Sequence, residues 1–138
     1  MRHDRNQQLR FAIQRLSRRI RTMQADQEIT EAQRSVLFTL ANDGPQTLRS
    51  LSEHENVTPP SMNRTVNALV EAGLVTRASV KDDARKIAID LSRAGHDFVE
   101  ETRRRRDAWF TQRLAELTPE QRSILDQATP ILKELSEQ

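Results

Sequence analysis

Leu9, Ile13, Leu16, Ile20 and Met23 recur at spacings of four and three, which predicts a first helix over about 6–25 with a narrow apolar seam. A second helix starts at Thr30. Thr30-Glu31-Ala32-Gln33 is a capping box, Val36, Leu37 and Leu40 make its apolar face, and Gly44-Pro45 ends it. Thr47 then caps a short helix with Leu48 and Leu51 inward. A turn through Glu55-Asn56-Val57 leads to a helix over 59–72, with Thr58 as N-cap, Pro59 at the first position and Gly73 at the end. Met62, Val66, Leu69 and Val70 fall on one face of it.

The period then changes from helical to two. Leu74 to Val80 and Ile87 to Leu91 read as strands, with Ile87, Ile89 and Leu91 inward, and Lys81 to Lys86 joins them as a charged hairpin loop. A long helix follows from about Arg93 to Leu117. Thr118-Pro119-Glu120-Gln121 opens a last helix to about Leu135, with Ile124, Leu125, Ala128, Leu132 and Leu135 inward and a kink expected at Pro130. Helix, short helix, turn, helix, strand, charged loop, strand is the order of a winged helix-turn-helix. The predicted fold class is mainly α with a small β-hairpin wing. The chain reads as one domain, 1–138, in which about 30–92 form the winged lobe and about 6–25 and 93–138 form flanking helices.

The helix over 59–72 carries the functional signal. Arg64 centres the face opposite the apolar one, flanked by Pro60, Ser61, Asn67 and Ala68, with little charge before Glu71. In a chain with 30% charged residues, a merely solvated face would carry more Glu and Lys. A helix entering a major groove needs groups that bond base edges without repelling phosphate. Arg suits guanine, Asn suits adenine, and small residues let the backbone come close. Thr58 and Ser61 suggest a phosphate held by free N–H groups and the helix dipole. The DNA-facing set here is therefore Thr58, Pro60, Ser61, Asn63, Arg64 and Asn67. In the hairpin loop, Lys81, Asp83, Arg85 and Lys86 extend it, with Arg85 reaching a minor groove or phosphate and Asp83 holding its guanidinium. Asn56 suits a tight helix-helix corner, because Asn tolerates the left-handed region.

These residues make the resemblance specific: the chain resembles the MarR family of transcriptional regulators. The matching residues are Leu51-Ser52-Glu53, Val57-Thr58, Arg64, Leu69, Gly73-Leu74-Val75 and Arg77. They continue with Asp83 and Arg85 in the wing and Leu91-Ser92-Arg93-Ala94-Gly95 after it. The resemblance implies a six-helix plan and a dimer of intertwined terminal helices. It also implies a recognition helix in the major groove, a wing arginine in the minor groove, and repression often relieved by a small ligand. Arg77 joins the DNA-binding set through this likeness. Two departures stand out: Pro59-Pro60 replaces the usual Ser, Arg or Lys, and Asn56 replaces the usual turn glycine.

Composition bears on assembly. With 36% hydrophobic and 4% aromatic residues the chain has a modest core of its own. The terminal stripes, Leu9, Ile13 and Leu16 with Ile124, Leu125, Leu132 and Leu135, lie too far from the winged lobe to be covered by it. Burial in a twofold homodimer is expected, with packing of the two stripes within one chain as the alternative. Net charge is only +2, yet seven arginines stand against Asp4 in residues 1–25, while the last twenty residues are net acidic. That asymmetry fits a polyanion.

Cysteine is absent, which excludes disulfides and thiolate metal sites, and His3, His54 and His96 are scattered, so no metal or cofactor is expected. There is no Gly-rich phosphate loop or nucleophile elbow, so an enzyme is not expected. Without a signal peptide or a run of about 18 apolar residues, the expected setting is cytoplasmic with no membrane partner. Arg103 to Arg106 points all round its helix. With Glu100 and Glu101 four residues before Arg104 and Arg105, it reads as a self-paired solvated face. Trp109 and Phe110 read as core or dimer packing, or, beside Met23, as lining for a small aromatic or phenolic effector. The expected partners are double-stranded DNA and a second copy. The alternative is a winged-helix adaptor that binds protein and reads no bases.

Overall fold

A computed structural model of the chain describes residues 2–23, 28–80 and 83–138. The elements are α1 (Arg2–Thr22), α2 (Glu31–Asp43), β1 (Gln46–Thr47), α3 (Leu48–Glu55), α4 (Pro59–Glu71), β2 (Val75–Val80), β3 (Asp83–Leu91), α5 (Arg93–Ala115) and α6 (Pro119–Ser136). The chain divides into two compact units, one of residues 24–104 and one of residues 1–23 with 105–138.

The unit of residues 24–104 is a winged helix-turn-helix built on a closed core. Val36, Leu37 and Leu40 of α2, Leu51 of α3, and Met62, Val66 and Leu69 of α4 pack with Leu74, Val75, Ile89, Leu91, Phe98 and Val99. The helix starts are those their N-caps dictate. Thr30, Thr47 and Thr58 each accept the N–H three residues on, and Gln33 completes the capping box at Thr30. The three-stranded antiparallel sheet has the order β1-β3-β2, with Arg77 opposite Ile89 and Gln46 on the other side of Ile89.

Asn56 ends α3 in the left-handed region at φ 55°, ψ 46°, and the Val57 N–H reaches the Ser52 carbonyl at 3.0 Å. The corner needs that conformation to turn α3 into α4. Asn56→Ala should therefore lower stability by about 1 kcal/mol, since a Cβ without a local polar group is strained there. Asn56→Gly should be neutral or slightly stabilising. Urea unfolding midpoints check both, and equal losses would mean the side chain, not the backbone, matters at this corner.

Several details depart from the sequence reading. β1 is an added strand of two residues, and β3 begins at Asp83, so strand replaces much of the expected loop over 81–86. Ile87 shares a face with the buried Ile89 and Leu91 yet is 50% exposed, because it lies beyond the edge of the core. Val70 is exposed for the same reason at the rim of α4. α1 occupies 2–22 rather than 6–25. On α5, Glu100 pairs with Arg103 and Glu101 with Arg104, both at a spacing of three. Arg103 also bonds Asn42 at 2.8 Å and lies over the Phe38 ring, so it ties α5 to α2 and is more than a solvated charge.

The junction of the hairpin with α5 is tightly built. The Ser92 hydroxyl donates to the Gly73 carbonyl at 2.5 Å and accepts the Gly95 N–H at 3.1 Å, while the Ser92 N–H meets the Leu74 carbonyl at 3.0 Å. Gly95 is buried against that same carbonyl, and a Cβ there would lie 2.1 Å from the Leu74 oxygen.

The other unit is different in kind. No described residue of 2–23 or 105–138 is buried, and α6 has no buried residue at all. Thr118 caps α6 with a full capping box through Gln121, and the helix continues through Pro130. Trp109 is half-buried, with the Arg19 and Arg113 guanidinium groups 5.6 and 5.2 Å from its ring. Arg106 donates to the Met23 carbonyl at 3.2 Å. An open apolar cavity of about 390 Å³ is lined by Leu16, Phe110, Leu114, Leu117, Leu125 and Leu132 among others.

Candidate nucleic-acid interface

α4 presents its two faces as a recognition helix would. Met62, Val66 and Leu69 are buried in the core, which leaves Pro60, Asn63, Arg64 and Asn67 exposed, with Ser61 and Ala68 half-buried beside them. Arg64 has no hydrogen bond or ion pair among the described residues, so its whole guanidinium fork is open to an outside partner. Asn67 stands three residues, just under one turn, further along, also without a described partner. A rigid core stripe thus holds an uncharged polar face around a single free cation.

The helix start works differently from the sequence expectation. Pro59 and Pro60 have no N–H to offer. The Ser61 N–H is bonded to Thr58 Oγ1 at 3.3 Å, and the Met62 N–H to the Thr58 carbonyl at 2.9 Å. No backbone donor of the first turn is left for a phosphate, so Ser61 can contribute only through its hydroxyl, and Thr58 through its hydroxyl and its own N–H. The two prolines signal this in the sequence itself.

Arg77 lies exposed on β2 and donates from Nη2 to Asn63 Oδ1 at 3.1 Å. This brings together two residues of the expected set that the sequence gives no reason to pair. Below them is a small pit of about 180 Å³ lined by Leu48, Asn63, Arg77, Ile87 and Ile89. In the wing, Lys86 is exposed, whereas Lys81 and the side chains of Asp83 and Arg85 lie outside the described residues. The expected Asp83–Arg85 contact falls there too.

The other expected surface consists of Leu9, Ile13 and Leu16 on α1 with Ile124, Leu125, Leu132 and Leu135 on α6, all exposed. Phe11 and Ile131 are also large, apolar and exposed. Ile131 continues the α6 stripe, three residues after Ala128 and four before Leu135, whereas Phe11 lies on the other side of α1 from Leu9 and Ile13. No group of three or more His, Cys, Asp or Glu among the described residues can hold a metal ion. No described helix is long and apolar enough to cross a membrane.

Comparison with known proteins gives the family and the fold. Residues 29–87 match the model of the MarR family. Over 124 residues the chain is 37% identical to an HTH-type transcriptional regulator of Mycobacterium bovis, covering 90% of this chain and 87% of the relative. Among solved structures, RV1404 from Mycobacterium tuberculosis is similar at 27% identity and a TM-score of 0.78, over 89% of this chain and 88% of that one. The transcriptional regulator Tm0710 from Thermotoga maritima shares the fold at a TM-score of 0.81 and 22% identity, with 95% of each chain covered.

Proposed function

The chain belongs to the MarR family of HTH-type transcriptional regulators, and from this premise we propose that it is a homodimeric repressor that reads a specific DNA sequence. It is a regulator and not an enzyme. In the proposed complex, α4 enters the major groove and the wing approaches the minor groove, with Arg85 as the inserted side chain. The lobe over about 30–92 binds DNA, and the helices over about 6–25 and 93–138 dimerise. The setting is the cytoplasm. A small aromatic or phenolic effector relieves repression by binding beside Met23 and Trp109. The two arginine groups at the Trp109 ring suit an aromatic ligand that carries a negative charge.

One observation carries the DNA-reading part. Arg64 is exposed and unpartnered among the described residues, at the centre of a polar face whose reverse side is locked into the core. An arginine so placed can present its fork bidentately to the O6 and N7 of guanine. The lack of acidic side chains around it spares the approaching phosphates. Dimerisation gives two such helices, which would enter half-sites about one turn of DNA apart.

The test is Arg64→Ala, assayed by fluorescence anisotropy on the selected site and on random DNA. Affinity for the site should fall by about 1–3 kcal/mol, with a much smaller change on random DNA. Asn67→Ala should show a smaller loss of the same kind. Thermal stability should move by less than about 0.5 kcal/mol in either variant, since both side chains are exposed. Equal losses on both DNAs would reduce Arg64 to a phosphate contact. No loss on either, with the fold intact, would remove base reading by α4.

A further inference from the structure

The hydrogen bond between Arg77 and Asn63 joins β2 to α4 across 14 residues of sequence, at the edge of the face that carries Arg64. Arginine has five N–H donors and no acceptor, so the Asn63 atom it reaches is the amide oxygen and not the nitrogen. An asparagine free in solvent turns its amide over at little cost and offers either a donor or an acceptor. Asn63 is not free in this way. Its oxygen faces the guanidinium, and its NH2 group faces away from it. Arg77 is itself held, because it lines the pit with Leu48, Ile87 and Ile89 and so has apolar side chains beside its stem. The second lone pair of the oxygen stays next to a positive charge, which disfavours another N–H arriving there.

We infer that Arg77 is a positioning residue that makes Asn63 a one-way hydrogen-bond donor toward DNA. The inference rests on the DNA-reading role proposed above. A donor-only asparagine suits a base edge that presents an acceptor in the major groove, as guanine does with N7 and O6 and thymine with O4. It does not suit cytosine, whose edge there presents an amino donor. Nor does it suit the two-point adenine contact that a free asparagine makes, because that contact needs the amide oxygen as well. Arg77 thereby acts on specificity from the sheet, through another side chain, and not only as one more cation near phosphate.

The two roles separate experimentally. The full-length protein selects binding sites from a randomised duplex pool, and the sites are sequenced for the parent, Arg77→Ala and Asn63→Asp. The parent should disfavour cytosine by about tenfold at one position of each half-site. In Arg77→Ala the amide can turn over, and the discrimination at that one position should fall to about twofold while the others keep theirs. Asn63→Asp keeps a bond to Arg77 but has no donor, so the penalty against cytosine should vanish at the same position. A uniform loss of affinity in Arg77→Ala with every base preference unchanged would overturn the inference and leave Arg77 as a phosphate contact. Preferences indifferent to Asn63→Asp would overturn it too. A parent protein that enriches no sequence at all would fail the DNA-reading proposal itself, a result distinct from both.

Discussion

With Leu125→Glu and Leu132→Glu introduced together, the protein should scatter light as a single 15.9 kDa chain, where the parent, as the proposed homodimer, should scatter as about twice that mass. Nine large apolar side chains of the unit formed by residues 1–23 and 105–138 are between 40% and 60% exposed: Leu9, Phe11, Ile13, Leu16, Ile124, Leu125, Ile131, Leu132 and Leu135. Fully burying one such side chain is worth about 1.5–3 kcal/mol, so covering the exposed halves of the eight other than Phe11, which lies off the α1 stripe, yields roughly 10 kcal/mol per protomer as an upper bound. No described residue of that unit is buried within one chain, so the unit has no core unless another surface supplies it. A second copy supplies the same stripe in return, which is what a twofold interface requires. Two carboxylates set into that seam would have to be desolvated without a partner, which the interface cannot offset.

Operator affinity should fall with the dimer. Two linked recognition helices gain about 10²–10⁴ in avidity over one, and the separated chain loses that factor. The check is sedimentation or light scattering at micromolar concentration, paired with anisotropy on the selected site. A parent that stays monomeric while well folded would remove the homodimer from the proposal. A double variant that stays dimeric would move the interface off α6.

The second large effect is on stability. Gly95→Ala should destabilise the protein by about 3 kcal/mol and lower the melting temperature by roughly 10 °C. The sign is the informative part, because Ala in place of Gly inside a helix ordinarily stabilises by about 1 kcal/mol. Here the new Cβ would stand 2.1 Å from the Leu74 oxygen and 3.1 Å from Leu91 Cδ2. Neither neighbour can give way easily. The Leu74 carbonyl accepts the Ser92 N–H, the Leu74 N–H is bonded to Leu69, and the Ser92 hydroxyl clamps Gly73 to the start of α5. Moving α5 away would break that cap and open the core at Phe98 and Val99. A calorimetric scan measures the outcome, and an unchanged or raised melting temperature would show that this junction has slack.

What could be read along the chain was what neighbours in sequence decide. Thr30, Thr47, Thr58 and Thr118 each cap a helix by bonding the N–H three residues on, so the sequence alone locates those starts. The left-handed turn at Asn56 and the core stripe of Met62, Val66 and Leu69 are local in the same sense, and the order of elements then leaves a winged helix-turn-helix. The missing donors at the start of α4 were equally local, written in Pro59 and Pro60. Tertiary structure decided the rest. Periodicity assigns a face but not a depth, so Ile87 and Val70 share faces with core residues and still end up exposed. β1 is two residues that pair only because β3 offers them an edge, and β3 reaches back to Asp83 because it has β2 to bond. The Leu-Ser-x-x-Gly signature at 91–95 is plain in the sequence. The need for glycine there arises only once the Leu74 carbonyl is folded against it. Arg77 and Asn63 meet for the same reason, since their bond belongs to the packing of a helix on a sheet and no spacing along the chain encodes it.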